Sequence, residues 1–349
     1  MQTDVIRRGR EELRQIRKRS RALYWAVGIF SAFANLLMLT GPLYMLQVYD
    51  RVLGSGSEET LVALTLLVVF AYSVMGLLDY TRGRIMARVG ARFQDDLDRR
   101  VFDAVVRKSA VAPDIKTNAS LADLEAVQRT ITSPVLMAAF DLPWTPIFFA
   151  AIFVFHVWLG YLALAGGAVL IVIAIANQYL SRGAQARAAI AGQQASGMSD
   201  QIRTEAEMVQ AMGMRDAAFT RWQKARSEAL AGQVRAADVG GTFTSMTKTI
   251  RLFLQSAMLG MGAYLVLQNE LTPGAMIAGS ILLGRALAPV EMGLNQWPVV
   301  QRGLTGWRNL VNLLGAVAPE PARTELPKPR AKLVAKNLTV VPPGEKQAS

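Results

Sequence analysis

The feature that most restricts the fold of this chain is a set of six apolar stretches, each long enough to cross a bilayer. A helix needs roughly 20 apolar residues to span the hydrocarbon core. Because lipid offers the backbone no hydrogen bonds, a spanning segment of this composition has to be a helix. We therefore predict an all-α membrane protein. The six stretches cover about residues 22–46, 60–80, 134–156, 158–180, 251–268 and 272–297.

The composition agrees with a membrane protein and argues against other classes. Of the 349 residues, 52% are hydrophobic and only 18% are charged. The net charge of +12 is compatible with nucleic-acid binding, but the apolar runs contradict that class. The absence of cysteine excludes disulfides, thiol catalysis and a zinc ribbon. No small-residue cleavage motif follows the first apolar run, so we expect a retained span and not a signal peptide.

The basic residues predict the orientation of the spans. With the N-terminus inside, 35 of the 38 Lys and Arg residues fall in cytoplasmic segments. Arg251 and Arg285 lie within spans, and only Arg51 falls in an outside loop. Cytoplasmic loops carry such an excess of cations in multi-pass proteins. We therefore expect both termini to be cytoplasmic.

The two inside loops are much longer than the outside loops. They contain about 53 and 69 residues, whereas the outside connections cover about 47–59, 157 and 269–271. Apolar residues recur every fourth position in the first inside loop, which is the helical period. We expect the spans to continue as helices into the cytoplasm and to turn near "APDIKTNAS" and "AMGMRD". The periodic residues are Ile85, Val89, Phe93, Leu97, Val101 and Val105.

The C-terminal part of the chain differs in composition from the spans. Prolines and charges after the sixth span indicate a linker, and the alternating residues that follow resemble the first strand of a further domain. No G-x-x-x-x-G-K-[ST] phosphate-binding loop occurs, so we predict no catalytic residue in this chain. The predicted parts are a basic N-terminal segment at 1–21, a transmembrane domain at 22–314, a linker at 315–332 and a truncated nucleotide-binding domain at 333–349.

Four stretches of the sequence resemble one family. They are "GPLYMLQVYDRVLGSGSEETL" at 41–61, "FDLPWTPIF" at 140–148, "AMGMRDAAFTRW" at 211–222 and "LTPGAMIAGSILLGRALAPVE" at 271–291. In this order they resemble the permease/ATPase of type I secretion systems, in the branch of ABC exporters that secretes proteases and lipases. Related bacteriocin and haemolysin exporters carry a peptidase-like domain before the first span, whereas about 21 residues precede it here.

The resemblance implies a six-helix ABC exporter transmembrane domain with long cytoplasmic helical extensions. It further implies a homodimer in the inner membrane, powered by ATP and Mg²⁺ bound to the intact protein. The implied cargo is an unfolded polypeptide with a C-terminal signal, and the implied partners are a periplasmic adaptor and an outer-membrane channel. Nucleic acid is not an expected partner. Since this chain lacks the ATPase motif, we expect a fragment, with a separately encoded ATPase subunit as the alternative.

Asp141, Pro143 and Pro146 interrupt the third apolar stretch. Asp141 lies about seven residues into this stretch, or roughly 10 Å at 1.5 Å per residue. We expect the prolines to kink the helix near the cytoplasmic end, where water or neighbouring helices satisfy the freed carbonyl groups. One hypothesis is that Asp141 faces the translocation cavity and helps to gate it. The alternative is a kink that only shapes packing.

Arg285 lies near the middle of the sixth stretch, where an unpaired cation facing lipid is unfavourable. One interpretation places it on a helical stripe that lines a cavity. The other, compatible interpretation is a buried ion pair with Asp141 or Glu291. Pro289 is a candidate kink. The stripe consists of Ala278, Arg285, Pro289, Met292 and Gln296.

The turns of the two inside loops are the places where the resemblance implies docking of an ATPase domain. The candidates are Pro113, Asp114, Met212, Met214, Arg215 and Trp222. A buried Met/Trp cluster at an ordinary turn is the alternative. The one histidine, His156, lies beside Trp158, where an interfacial role is favoured over ligation or catalysis. The charges of "FQDDLDRR" are typical of a solvated helix face, so no metal site is predicted.

Other functions remain open at this stage. An ABC exporter of lipid or peptide shares the six-span plan, and an inactive fragment without transport activity is also compatible. A membrane-embedded enzyme needs a cluster of His, Asp or Glu, and the spans hold only scattered charges. A scaffolding membrane protein is a further alternative. The basic inner surface is consistent with acidic cargo, although the orientation of the spans also accounts for that charge.

Overall fold

The computed structural model describes residues 2–111, 121–319, 334 and 336. Every regular element in this part of the chain is a helix, which confirms the all-α prediction. Most of the predicted linker and nearly all of the predicted first strand at 333–349 lie outside the described residues.

Thirteen α-helices and two short helical turns of other types form the described chain. The helices are α1 (Gln2–Arg19), α2 (Arg21–Leu37), α3 (Thr40–Gln47), α4 (Leu53–Ser55), α5 (Glu58–Val111), α6 (Leu121–Ile131), α7 (Pro134–Asp141), α8 (Thr145–Phe155), α9 (Val157–Thr204), α10 (Ala206–Ala211), α11 (Arg215–Leu267), α12 (Pro273–Asn295) and α13 (Trp297–Ala316). A π-helical segment covers Val48–Val52 and a 3₁₀ turn covers Leu142–Trp144.

Six helical segments of the described chain are long and apolar enough to cross a membrane, as predicted. Three of them greatly exceed the roughly 30 Å of a hydrocarbon core. At 1.5 Å per residue, α5, α9 and α11 are each about 70–80 Å long, so they continue well beyond the bilayer. The six are Arg21–Ser55, Glu58–Ala110, Pro134–Phe155, Val157–Thr204, Arg215–Leu267 and Pro273–Asn295.

Proline marks the first turn of several helices. Its fixed φ suits that position, and its missing N–H is not needed there. Before α7, Ser133 has an extended backbone and its hydroxyl donates to the Thr130 carbonyl, so the chain turns sharply. The helix starts of this type are at Pro134, Pro146, Pro273 and Pro298.

The described chain divides into two compact units. The first comprises residues 1–38, 67–142 and 296–349. Its core is an apolar cluster to which α1, α5, α6 and α13 contribute, and the Phe93 and Trp307 rings stack beside it with centroids 6.2 Å apart. The buried members are Leu13, Phe93, Leu97, Val101, Ala104, Leu124, Val127, Leu310, Val311, Leu313 and Leu314.

Helices α1 and α13 cross at two glycines. A Cβ atom at Gly9 would overlap the carbonyl group of Val311, and one at Gly315 would overlap the carbonyl of Val5. Only glycine allows the two backbones to approach so closely. Helix α1 is therefore tightly packed against α13 and does not project freely.

Arg100 joins three segments of the same unit. Its Nε donates to Glu12 of α1 at 2.8 Å, and its Nη2 donates to the Val317 carbonyl at 2.5 Å, just beyond the end of α13. Charge-assisted hydrogen bonds of this kind are stronger than neutral ones. The start of the chain and the end of α13 are thus both tied to the long helix α5.

The second unit comprises residues 39–66 and 143–295. Its main feature is a pair formed by the long helices α9 and α11. Gly166 of α9 contacts Leu254, whereas Ala188, further along α9, contacts Gly232. The later residue of α9 therefore contacts the earlier residue of α11, which shows that the two helices are antiparallel. Small residues at these contacts allow close packing, as is usual for helices in membranes.

The π-helical segment of the second unit supplies a cap for α12. Asp50 Oδ1 accepts a hydrogen bond from the backbone N–H of Gly274 at 2.8 Å, and Oδ2 accepts from the Thr272 hydroxyl at 2.6 Å. A carboxylate at a helix N-terminus satisfies free N–H groups and complements the helix dipole. This cap ties the first apolar segment to the last one.

We predict that Gly9→Ala destabilises the protein, because the added methyl group forces α1 away from α13. Overpacking of this kind costs about 1–3 kcal/mol. Gly28→Ala is the matched control, since that glycine lies within helix α2 and a methyl group added there would have no atom within 4 Å. Thermal unfolding in detergent should show a lower midpoint for Gly9→Ala and an unchanged or higher one for Gly28→Ala. Equal midpoints for the two variants would contradict the close crossing.

Candidate functional site: buried ion pairs and an exposed helical turn

A buried arginine organises a polar network in the first unit. Arg82 of α5 is only 5% exposed. Its Nη1 lies 2.8 Å from Asp141 Oδ1 and its Nη2 lies 2.6 Å from Asp79 Oδ1. The same Nη1 donates to the Ser31 hydroxyl at 2.6 Å. We call Arg82, Asp79, Asp141, Ser31 and Asn35 the Arg82 network.

Asp141 occupies the last position of α7, directly before the 3₁₀ turn. The amide of Asn35 donates to its Oδ1 at 2.6 Å and also to the Ser31 carbonyl at 2.8 Å. The helical path is interrupted between α7 and α8, with Pro143 in the 3₁₀ turn and Pro146 in the first turn of α8. The acid predicted from the sequence therefore lies at the break and is bound by α2 and α5.

The network stabilises a cation that would otherwise be costly to bury. Removing one partner of a buried ion pair leaves an uncompensated charge and typically costs 3–5 kcal/mol. Arg82 faces two carboxylates, so the exposed Asp79 partly compensates when Asp141 is lost. The buried Nε of Arg82 has no protein partner among the described residues, and an ordered water would satisfy it.

The exposed surface of α5 locates the network relative to the apolar belt. Large apolar side chains are exposed up to Tyr80, and no further one is exposed on this helix until Phe102. The network therefore lies at the end of the apolar surface, where the lipid would give way to head groups. The exposed residues before this end include Leu66, Leu67, Val69, Phe70, Leu77 and Tyr80.

A second ion pair joins α11 and α12 in the other unit. Arg251 Nε lies 2.6 Å from Glu291 Oε1, and both side chains are largely buried. The N–H bond does not point along this line, so the contact is an ion pair without a regular hydrogen bond. Glu291 and Asp141 are the partners that the sequence predicts for Arg285. The structure instead pairs Glu291 with Arg251 and Asp141 with Arg82.

Arg285 is half-buried, and no carboxylate of the described chain lies within ion-pair distance of it. Of its predicted stripe, Ala278 is fully buried and Met292 is 38% exposed. Helix α12 continues through Pro289 to Asn295 without ending at the proline. A translocation-cavity role for Asp141, Arg285, Met292 and Gln296 stays a prediction.

The turn between α10 and α11 exposes apolar side chains. Gly213 adopts a left-handed φ of 65°, which reverses the chain between two methionines. Met212 is 65% exposed and Met214 is 47% exposed, so the alternative of a buried methionine cluster is wrong. Arg215 is also exposed. Trp222 is half-buried, and the centroid of its ring lies 6.0 Å from that of the exposed Phe219. The other predicted docking residues, Pro113 and Asp114, lie outside the described residues.

His156 connects two turns of the second unit. Its Nδ1 accepts a hydrogen bond from the Trp158 backbone at 3.2 Å and so caps α9. Its Nε2 lies 3.4 Å from Glu270 in the turn before α12. The contacts of this histidine are those of a helix cap, and its predicted interfacial position stays a prediction.

The fold and these contacts define a class: a six-span helical membrane protein whose long helices extend beyond the bilayer and end in an exposed turn. Residues 24–288 match the model of the family described as the ABC transporter transmembrane region. The chain belongs to this family.

Two relatives show which kinds of ABC transporter the chain resembles. The chain is 35% identical over 328 residues to the type I secretion system ATP-binding protein PrsD of Rhizobium meliloti (strain 1021), covering 93% of this chain and 56% of that protein. It is 23% identical over 329 residues to the leukotoxin translocation ATP-binding protein LktB of Mannheimia haemolytica, covering 91% of this chain and 46% of that protein. The chain spans about half the length of the curated relatives it matches.

We predict that Asp141 and Arg82 are energetically coupled. Asp141→Asn and Arg82→Met should each lower the free energy of unfolding by about 2–4 kcal/mol, because each leaves buried charge without its main partner. The double variant should lose less than the sum of the two, which denaturant unfolding in detergent measures as a coupling energy. Asp79→Asn is the control and should cost less than about 1 kcal/mol, because that acid is more exposed. Additive losses would show that the pair contributes nothing of its own.

Proposed function

We propose that this chain is the membrane-spanning part of an ATP-driven exporter that secretes unfolded polypeptides by the type I route. The observation that carries the proposal is the similarity to PrsD across 93% of the chain, on a six-span fold that belongs to the ABC transporter transmembrane region family. LktB supports an exporter of this kind, because its name refers to the translocation of a leukotoxin.

The energy source and partners follow from this proposal. The relatives are named as ATP-binding proteins, so ATP and Mg²⁺ would act on a nucleotide-binding domain of the intact protein. The cargo would carry a C-terminal signal and pass through a periplasmic adaptor to an outer-membrane channel. We further propose a homodimer in the inner membrane. Only 6% of the most apolar window of α5 is buried within the chain, so lipid or a second copy must cover the rest.

The exposed turn between α10 and α11 is our candidate for transmitting ATPase movements to the spans. It carries exposed Met212 and Met214 at the far end of two helices about 70–80 Å long. Exposed methionines suit an apolar contact that must slide or repack, because their side chains are flexible and polarizable. Arg215 begins α11 and Trp222 lies about two turns further along it, and both would complete this surface.

The basic residues support an orientation with both termini in the cytoplasm, and this can be tested because the chain has no cysteine. We expect Met212→Cys to be protected from a membrane-impermeant maleimide in intact spheroplasts and labelled after lysis. Gln268→Cys, at the exposed end of α11, should be labelled before lysis. The opposite labelling pattern would reverse the proposed topology.

The function is tested by disrupting the gene and comparing the proteins secreted into the medium. We expect at least one secreted protein to disappear and to return when the gene is restored. Met212→Glu/Met214→Glu should restore secretion poorly, because two charges replace the apolar contact with the ATPase domain. Gln223→Glu/Ser227→Glu adds the same charge on the exposed surface of α11 and should restore secretion normally.

The comparison must be made at equal amounts of each variant in the membrane. If the secreted proteins do not change while exported lipids or small peptides do, an exporter of another cargo replaces the proposed function. If both double variants restore secretion equally, the turn does not transmit the ATPase movement.

A further inference from the structure

A row of cations lies along the exposed face of α1 and continues to the first residue of α2. Five of the six fall at positions 7, 10, 14, 17 and 18 of α1, where spacings of three or four residues place them on one side of the helix. All of them are exposed, and the opposite side of α1 holds Gly9 and Leu13 against α13 and the core. We call this surface the α1 stripe: Arg7, Arg10, Arg14, Arg17, Lys18 and Arg21.

The α1 stripe is hardly neutralised by the protein itself. Glu11 is its one exposed acid, and it binds Arg7 at 3.0 Å. None of the other five cations has a carboxylate within ion-pair distance in the part of the chain that the structure describes. Glu12 lies on a different side of α1 and binds Arg100. The stripe is therefore a cationic surface on which, among the described residues, only Arg7 is paired with a carboxylate of the chain.

The two ends of the stripe lie at different distances from the lipid head groups. Arg21 is the first residue of the first apolar segment, four residues before the exposed Trp25, so this end lies near the head groups, whereas the Arg7 end lies far from them. Glu12 of α1 binds Arg100, which is twenty residues beyond Tyr80 on α5, where the exposed apolar surface ends. At 1.5 Å per residue this separation is about 30 Å. Screening at physiological ionic strength acts over about 8 Å, so the charge of a bilayer surface would not reach the Arg7 end of the stripe. Anionic lipid is thus a poor candidate for the partner of Arg7, Arg10 and Arg14.

We infer that the α1 stripe is a docking surface for an acidic segment of the exported polypeptide. This inference rests on the proposed function, which brings an unfolded chain to this side of the membrane. From Arg7 to Arg21 the stripe is about 20 Å long, which matches six or seven residues of extended chain. Carboxylates on such a segment would meet successive arginines, which bind carboxylates with two parallel hydrogen bonds.

The rigidity of α1 makes the docking surface specific. Its close crossing with α13 and the bond between Glu12 and Arg100 hold the helix in one place. A fixed row of charges loses less entropy on binding than a flexible basic tail does. The contact remains electrostatic and exposed, so it releases the cargo readily and weakens with salt.

The inference is tested by peptide binding to the chain reconstituted in phosphatidylcholine nanodiscs. The probe is a fluorescent peptide of alternating glycine and aspartate, and a glycine-serine peptide is the uncharged comparison. Fluorescence anisotropy should show binding of the acidic peptide that falls as salt rises. Arg10→Gln/Arg14→Gln/Arg17→Gln should weaken this binding about tenfold, because each exposed ion pair contributes modestly.

The matched control is Arg221→Gln/Lys224→Gln/Arg226→Gln, which removes three exposed cations from α11. It has the same net charge as the stripe variant and should bind the peptide as the unaltered chain does. Equal weakening in both variants would overturn the inference in favour of a general charge effect. Unchanged binding in the stripe variant would overturn it outright. A single-stranded oligonucleotide that binds the stripe more tightly than the peptide would identify nucleic acid as the occupant instead.

Secretion by the stripe variant separates this inference from the proposed function. If the unaltered gene supports secretion but the stripe variant binds peptide normally, only the inference fails. If the unaltered gene supports no secretion although peptide binding depends on the stripe, the proposed function fails and the stripe binds acidic polypeptide for another purpose. The inference requires that the variant, present at normal levels in the membrane, secretes its cargo more slowly.

Discussion

The absence of water in the hydrocarbon core is the constraint on which the rest of this structure depends. Backbone N–H and C=O groups in lipid must be bonded within the segment, so the six apolar segments are helical. Two interruptions of these segments lie at places with other partners. At the break before Pro143, Asp141 is held by Arg82 and Asn35, and at the π-helical segment Asp50 caps α12. Both of these irregularities are thus accompanied by a polar contact between helices.

Much of the fold could be predicted because the relevant signals are local. Run length predicted the six spans, and a period of four residues predicted the buried face of α5, where Val89, Phe93 and Leu97 lie in the core. The Arg82 network was missed because its main pair joins residues 59 positions apart, and such pairing depends on how helices pack. One signal was present: Arg82 lies in helical phase with Met86 and Val89, so a charge occupies the buried face.

The candidate site shows the limit of reasoning from residue type alone. Methionine and tryptophan near a turn fit a buried cluster as well as a contact surface, and only the structure shows that Met212 and Met214 are exposed. Likewise, Glu291 has arginines at two plausible positions, and the helix packing places Arg251 beside it. Residue spacing gives the face of a helix, whereas the neighbouring helix on that face depends on tertiary structure.

We propose two physical roles for the basic residues of this chain, and the two must be separated. Orientation in the membrane explains an excess of cations on one side, but it requires only their number and not their arrangement. It does not require that five of them lie along one exposed face of α1 while the other face packs against α13. Mutual repulsion makes such a row unfavourable in an isolated helix, since like charges at intervals of four are destabilising. A partner of opposite charge removes that cost, and the distance of Arg7, Arg10 and Arg14 from the apolar belt favours a polypeptide over lipid as their partner.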